Sequence, residues 1–171
     1  MGNTGANLDG APTQFTEKEL ERLHHQFSKL DKDHSGHLEA EEWLNIPTLG
    51  NNPLVRRLIS VLDKDKNGKI SFSEFVGGLS TLSMGTNEED KMRFAFSIYD
   101  IDDDGYISNG DLYSTLKIMI GNNLTDIQLQ QLVDRTFQKG DIDGDGLLSF
   151  EEFRAMINQL NIAAKFTIKY N

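Results

Sequence analysis

Four twelve-residue segments of this chain repeat one pattern of acidic residues around a glycine. They are DKDHSGHLEAEE at 31–42 (loop 1), DKDKNGKISFSE at 63–74 (loop 2), DIDDDGYISNGD at 100–111 (loop 3) and DIDGDGLLSFEE at 141–152 (loop 4). Positions 1 and 3 are always Asp, position 6 is always Gly, and position 8 is always Leu or Ile. One such segment alone would be a weak signal, because acidic turns with glycine are common. Four in order indicate one structural unit used four times.

The spacing of the oxygen-bearing side chains indicates what these loops bind. Side chains at positions 1, 3 and 5 converge on one centre when the chain curls, and glycine at position 6 permits the sharp turn. Position 7 gives a backbone carbonyl, which leaves its side chain free, and Glu at position 12 coordinates with both oxygens. This is the EF-hand calcium loop, so we predict four Ca²⁺ sites. The predicted ligands are Asp31, Asp33, Ser35, His37 and Glu42; Asp63, Asp65, Asn67, Lys69 and Glu74; Asp100, Asp102, Asp104, Tyr106 and Asp111; and Asp141, Asp143, Asp145, Leu147 and Glu152.

Apolar residues flank each loop at helical spacing. Four residues before the loops stand Phe27, Ile59, Phe96 and Phe137, and directly after them stand Trp43, Phe75, Leu112 and Phe153. We therefore predict an all-α fold of four helix–loop–helix EF-hands, with Phe27, Phe96, Phe137 and Phe153 in the core. The aliphatic position 8 predicts a short β pairing between neighbouring loops, which ties them into two lobes.

The glycines at 77, 78 and 85 favour a boundary between the lobes. We predict a flexible N-terminus at 1–15, an N-terminal lobe at 16–84, a C-terminal lobe at 85–160 and a tail at 161–171. Thr86 or Asn87 is a candidate cap for the helix that begins the second lobe.

Composition excludes several classes of function. The net charge is −10, and the four loops hold 18 of the 27 acidic residues, so nucleic acid is not an expected partner. The chain has no cysteine, no apolar run of membrane-spanning length and no signal-peptide pattern, which favours a soluble cytoplasmic protein. The four histidines cluster in the first repeat without a plausible nucleophile, so we predict no catalytic residues.

The loops differ in their acidic residues. Loop 4 has the full set, and loop 1 has Ser35 at position 5 but gains Glu39 at position 9. Loop 2 carries Lys64, Lys66 and Lys69, so we expect it among the weaker sites.

Loop 3 ends in Asp111, which is one methylene shorter than Glu. A one-oxygen ligand favours six-coordinate geometry and makes loop 3 a mixed Ca²⁺/Mg²⁺ site. The alternative is that the following helix moves closer and calcium binds nearly as before.

Two apolar segments exceed what a small lobe needs to bury: 116–124, with Leu116, Met119 and Ile120 at helical spacing, and the C-terminal tail. We interpret both as partner surfaces. Calcium loops paired with such surfaces are typical of sensors that bind an amphipathic helix in an apolar groove.

The chain resembles the calcineurin B family, the regulatory subunits of the calcium/calmodulin-dependent serine/threonine phosphatase. The stretches NNPLVRRLI (51–59), RFAFSIYDIDDDGYISNGDL (93–112), GNNLTDIQLQQLVD (121–134) and DGDGLLSFEEF (143–153) carry the resemblance. It implies a stable heterodimer in which the catalytic subunit lays an amphipathic helix in an apolar groove. The alternatives are a free-standing calcium sensor acting on a kinase or other target, and a calcium buffer.

The resemblance also implies two further sites. A surface for substrate LxVP motifs and immunophilin–drug complexes would include Leu116, Met119, Ile120, Asn123 and Leu124. Family members carry myristate on Gly2, although Ala6 replaces the preferred Ser or Thr here. One myristoyl chain would give only weak membrane association.

Overall fold

The computed structural model describes residues 15–46, 50, 52–82 and 87–167, with side chains except those of residues 82 and 160–167. The helices in these ranges are α1 (Glu17–Leu30), α2 (Ala40–Leu44), α3 (Val55–Leu62), α4 (Phe72–Leu82), α5 (Glu88–Tyr99), α6 (Asn109–Ile120), α7 (Asp126–Gly140) and α8 (Phe150–Thr167). Four two-residue strands accompany them: β1 (His37–Leu38), β2 (Ile70–Ser71), β3 (Ile107–Ser108) and β4 (Leu147–Leu148). A 3₁₀ turn, Gly121–Asn123, follows α6.

Side-chain caps fix where several helices begin. The Thr125 hydroxyl accepts from the Gln128 N–H while the Gln128 side chain accepts from the Thr125 N–H, a reciprocal capping box at the start of α7. Asn87 Oδ1 accepts from the Asp90 N–H at 2.8 Å, which confirms the predicted cap of α5. The alternative cap, Thr86, lies outside the described residues.

The position-8 residues pair the loops two by two. β1 and β2 are antiparallel with Leu38 opposite Ile70, and β3 and β4 are antiparallel with Ile107 opposite Leu148. These four side chains are at most 1% exposed, because each pair joins two loops and fills the core beneath them. The predicted all-α fold with short β pairing is confirmed.

The residues flanking the loops form the core. In the second half, Phe96, Ile107, Leu112, Val133, Leu148 and Phe153 form one buried cluster, and Phe137 packs half-buried against it. In the first half, the Phe27 and Phe75 rings meet edge-on with centroids 5.5 Å apart. Each fully buried side chain of this size contributes about 1.5–3 kcal/mol. The core prediction for the four phenylalanines is confirmed.

Contacts divide the chain into two compact units, unit 1 up to Lys91 and unit 2 from Met92. The predicted boundary at 84/85 lies at residues outside the described ranges. Helix α8 continues to Thr167, so much of the predicted tail is helical, while residues 168–171 and the N-terminal 1–14 are not described. Among the helices of the described ranges, none combines the length and apolarity needed to cross a bilayer.

Candidate metal sites

Each loop gathers three carboxylates around one centre. In loops 1, 2 and 4 the ligand oxygens of positions 1, 3 and 12 lie within 4.8 Å of one another, and in loop 3 those of positions 1, 3 and 5 do so. The groups are Asp31, Asp33 and Glu42; Asp63, Asp65 and Glu74; Asp100, Asp102 and Asp104; and Asp141, Asp143 and Glu152. Carboxylates this close repel one another unless a cation lies among them. Oxygen-only sets of this kind fit the hard cations Ca²⁺ and Mg²⁺.

The loop backbone is shaped around the first Asp. In loop 1 the Ser35 N–H donates to Asp31 Oδ1 and the Gly36 N–H donates to Asp31 Oδ2, each at 2.9 Å. Both interactions recur in loops 2 and 3 with the corresponding residues. The position-6 glycines have φ between 81° and 90°, which explains why only glycine stands there.

Position 12 joins the two ends of the loop. In loop 4, Glu152 Oε1 accepts from the Ile142 N–H at position 2 (2.8 Å), and Oε2 accepts from the Ser149 N–H at position 9 (2.9 Å). Glu42 and Glu74 make the same two bonds in loops 1 and 2. The glutamate therefore closes the loop entrance with one oxygen and caps the following helix with the other.

Asp111 makes only the second of these bonds. Its Oδ2 accepts from the N–H of Ser108 at 2.9 Å and from its hydroxyl at 2.6 Å, which caps α6. Within residues 87–167, no hydrogen bond joins Asp111 to the Ile101 N–H at position 2, and its carboxylate is absent from the loop 3 cluster. The structure thus brings the position-12 residues of loops 1, 2 and 4 into their clusters but leaves Asp111 at the rim of loop 3.

Hydrogen bonding and burial move the pKa of several loop carboxyls. Burial tends to raise the pKa of Glu152, but bonds from Ser149, Ile142 and Asp143 together hold it below the ordinary value. The pKa of Glu74 is lowered by the same balance. Burial raises the pKa of Asp100, and bonds from Gly105 and Asp104 only partly offset that effect. Loop 4 therefore favours the ionised form of Glu152 in the absence of metal.

The remaining predicted ligands shape the loop backbones. The position-5 side chains of Asn67, Asp104 and Asp145 each accept from the N–H two residues later at 2.8 Å, the N–H of the position-7 residue. Ser35 Oγ donates to the His37 carbonyl oxygen at 3.1 Å. These bonds hold position 7, whose carbonyl is the predicted ligand, next to position 5.

The Lys69 side chain, at position 7 of loop 2, forms an ion pair with the neighbouring loop. Lys69 Nζ of loop 2 lies 2.9 Å from Glu39 Oε1 of loop 1. The hydrogen bond and charge of Glu39 raise the pKa of Lys69. The pair is not visible when each loop is considered alone, because it is the strand pairing that brings these two positions together.

The predicted partner residues lie along the second half of α6 and the turn after it. Leu116 is half-buried against the unit 2 core, whereas Met119 is 43% exposed. Ile120 and Leu124 are half-buried, and Asn123 is exposed. Sequence reasoning missed the exposed side chains of Ile118, Ile127 and Leu132, because helical spacing alone does not show which face meets a neighbouring helix.

Comparison with known proteins agrees with this geometry over nearly the whole chain. The family model of the EF-hand domain pair matches residues 20–80 and 89–158 of this sequence. Human calcineurin B type 2 is 52% identical over 98% of this chain and 99% of its own length. The calcineurin B protein of Yarrowia lipolytica is 50% identical over 93% of this chain and 92% of its own. Calcineurin B type 1 of Dictyostelium discoideum is 51% identical over 93% and 89%.

Identity at this level over this length cannot come from the calcium loops alone, since they occupy 48 of the 171 residues. It extends across the helices and connections between the loops. The chain belongs to the calcineurin B family of EF-hand proteins.

Proposed function

We propose that this chain is the calcium-binding regulatory subunit of a calcium/calmodulin-dependent serine/threonine phosphatase. The observation that carries the proposal is the near-full-length likeness to calcineurin B proteins, together with four intact twelve-residue loops. Ca²⁺ would supply a positive centre for the clustered carboxylates, held by the predicted ligands at positions 1, 3, 5, 7 and 12. The chain itself supplies no catalytic residue in this proposal. It forms a stable heterodimer and conveys calcium sensitivity to its partner.

The heterodimer is the part of the proposal that an experiment should test first. The tagged chain is captured from its native cells, washed with excess calcium chelator, and the eluate is assayed for phosphatase activity with and without calcium and calmodulin. The matched variant replaces the position-12 ligands by their amides: Glu42→Gln, Glu74→Gln, Asp111→Asn and Glu152→Gln. We expect a catalytic chain to remain bound through the wash, with activity that depends on calcium in the wild type and is reduced in the variant.

The alternative is a free-standing sensor that holds a kinase or another target only with calcium. In that case every partner elutes with the chelator, and no calcium-dependent phosphatase activity is recovered. Such a result would reject the proposed regulatory role while leaving calcium binding intact.

The partner helix is proposed to lie in the apolar groove of the lobes, and the segment 116–124 to form part of a separate docking surface. On that surface, Met119 presents 43% of its side chain to solvent beside the exposed Asn123. We expect Met119→Asp in the purified heterodimer to weaken binding of an LxVP peptide about tenfold, as loss of an exposed apolar anchor does. Ile127→Asp is the control, since Ile127 is 73% exposed outside the predicted set. Equal losses of peptide affinity in both variants would contradict the assignment of segment 116–124 as the docking surface. We expect Met119→Asp to weaken binding of immunophilin–drug complexes in the same way.

Myristate on Gly2 and a cytoplasmic location with weak membrane association complete the proposal. Gly2 lies outside the described residues, so the support is the Met-Gly start alone. Intact mass of the protein from its native cells decides this, because a myristoyl group adds about 210 Da and Gly2→Ala removes it.

A further inference from the structure

The register of β1 and β2 brings one ligand position of loop 1 opposite a lysine of loop 2. His37 lies opposite Ser71 and Leu38 opposite Ile70, so the next antiparallel pair is Glu39 with Lys69. Directly opposed side chains in a sheet are near enough to form ion pairs. Lys69 Nζ does so with Glu39 Oε1 at 2.9 Å, where the two side chains are 48% and 40% exposed.

The two partners belong to different metal sites. Glu39 is position 9 of loop 1, the position that reaches a bound calcium ion directly or through water. Lys69 is position 7 of loop 2, which contributes only its carbonyl to its own site. The lysine side chain therefore pairs with a carboxylate of the neighbouring loop and not with one of its own loop.

The three equivalent cross-loop pairs carry no such ion pair. They are His37 with Ser71, Tyr106 with Ser149, and Ser108 with Leu147, as the two registers give them. Each joins position 7 of one loop to position 9 of its partner, and none combines an acid with a lysine. Unit 2 thus provides the same geometry without the charges.

We propose that Lys69 lowers the calcium affinity of loop 1, because its ammonium group competes with the bound cation for the Glu39 carboxylate. This inference rests on the proposed calcium binding of loop 1. From the sequence alone, Lys69 is expected to weaken calcium binding by loop 2, whereas the ion pair directs its effect to loop 1. Because the ion pair is partly exposed and screened by solvent, its effect is about two- to fivefold in affinity. The effect diminishes as salt concentration rises.

A calcium titration with one reporter per loop tests the proposal. The backbone N–H groups of Gly36 and Gly68 each donate to the first Asp of their own loop, so their NMR signals follow loops 1 and 2 separately. The full-length chain is compared as wild type, Lys69→Gln and Lys64→Gln. The last variant removes an equal charge from position 2 of loop 2, on the same loop but away from Glu39.

Lys69→Gln should lower the calcium concentration at the Gly36 midpoint about two- to fivefold, and by more than at Gly68. Lys64→Gln should act mainly on Gly68. In a Glu39→Gln background the preferential gain at Gly36 should disappear. A Gly36 midpoint that rises, or that moves no more than with Lys64→Gln, would overturn the inference. If Gly36 in the wild type does not respond to calcium at all, the proposed binding at loop 1 itself is wrong.

Discussion

Loops 3 and 4 lie side by side in unit 2 and share Asp at positions 1, 3 and 5, yet they close differently. In loop 4 the Glu152 carboxylate reaches back across the loop to the Ile142 N–H at 2.8 Å. In loop 3 the Asp111 carboxylate reaches only Ser108, three residues earlier. One methylene separates the two side chains.

The position-12 residue of loop 4 has two roles, bonding to position 2 across the loop and capping the following helix, and the residue of loop 3 has only the second. Both residues cap the helix that follows their loop, through a serine at position 9. Only the glutamate also accepts a hydrogen bond from the N–H of position 2, and its carboxylate lies within the cluster formed by positions 1 and 3. The shorter Asp therefore preserves the start of α6, while leaving loop 3 without a carboxylate bonded to the N–H of position 2.

The largest expected effect comes from shortening the ligand that closes loop 4. Glu152→Asp should lose the bond to Ile142 and reduce the calcium affinity of loop 4 about 10- to 100-fold, the equivalent of one charge-assisted interaction. The Gly146 amide signal in a calcium titration of the full-length chain measures this. Glu151→Asp makes the same chemical change one residue earlier, where the side chain is exposed and paired with Arg154. An unchanged loop 4 affinity in Glu152→Asp would show that the bond across the loop does not matter for binding.

The reciprocal change should improve loop 3. Asp111→Glu restores a side chain long enough to reach Ile101, so we expect about tenfold tighter calcium binding and a greater preference for calcium over magnesium. Calorimetric titration of the full-length chain with calcium, with and without excess magnesium, measures both. Asp134→Glu on α7 is the control for an added methylene in the same unit. If wild-type loop 3 already excludes magnesium, the helix accommodates the shorter Asp and the mixed-site prediction is wrong.

Acid titration without metal should show pKa shifts of opposite direction for a carboxyl group of loop 3 and one of loop 4. Burial raises the pKa of Asp100 in loop 3 above its ordinary 3.8, so this carboxylate destabilises the folded chain at higher pH, and the penalty disappears as pH falls through the raised pKa. Despite burial, the bonds from Ser149, Ile142 and Asp143 lower the pKa of Glu152 below 4.5. Its contribution to stability is present above that pH and is lost as pH falls through the lowered pKa. Carboxyl ¹³C NMR of the chelator-treated chain should show these opposite shifts, and shifts of the same sign would contradict the structure.

Sequence alone predicted the features that depend on spacing. The position-8 pairs and the phenylalanine core each follow from a residue type at a fixed interval, and the cap of α5 follows from a choice between Thr86 and Asn87. It could not predict which atoms a side chain reaches. The position of Asp111 outside its cluster depends on about 1.5 Å of side-chain length, and the Lys69–Glu39 pair depends on a strand register between loops 32 residues apart. Both become visible only when neighbouring segments are placed together.

Gly110, position 11 of loop 3, supplies the smallest test of whether Asp111 alone accounts for the difference between loops 3 and 4. The other loops carry Glu41, Ser73 or Glu151 there. A Cβ added at Gly110 would meet only Ser108 Oγ, at 3.7 Å.

Gly110→Ala should therefore stabilise the calcium-free chain by about 0.5 kcal/mol, because it lowers the entropy of the unfolded state at a helical position. Thermal denaturation measures this. Gly140→Ala should do the opposite, since its Cβ would lie 3.0 Å from Leu148 Cδ2 in the core. Destabilisation by Gly110→Ala would mean that α6 needs glycine where it begins. A gain in stability with no change in the calcium response of the Gly105 amide would assign the proposed difference in calcium binding between loops 3 and 4 to the reach of Asp111. A parallel gain in calcium affinity would mean that flexibility at the start of α6 also keeps loop 3 open.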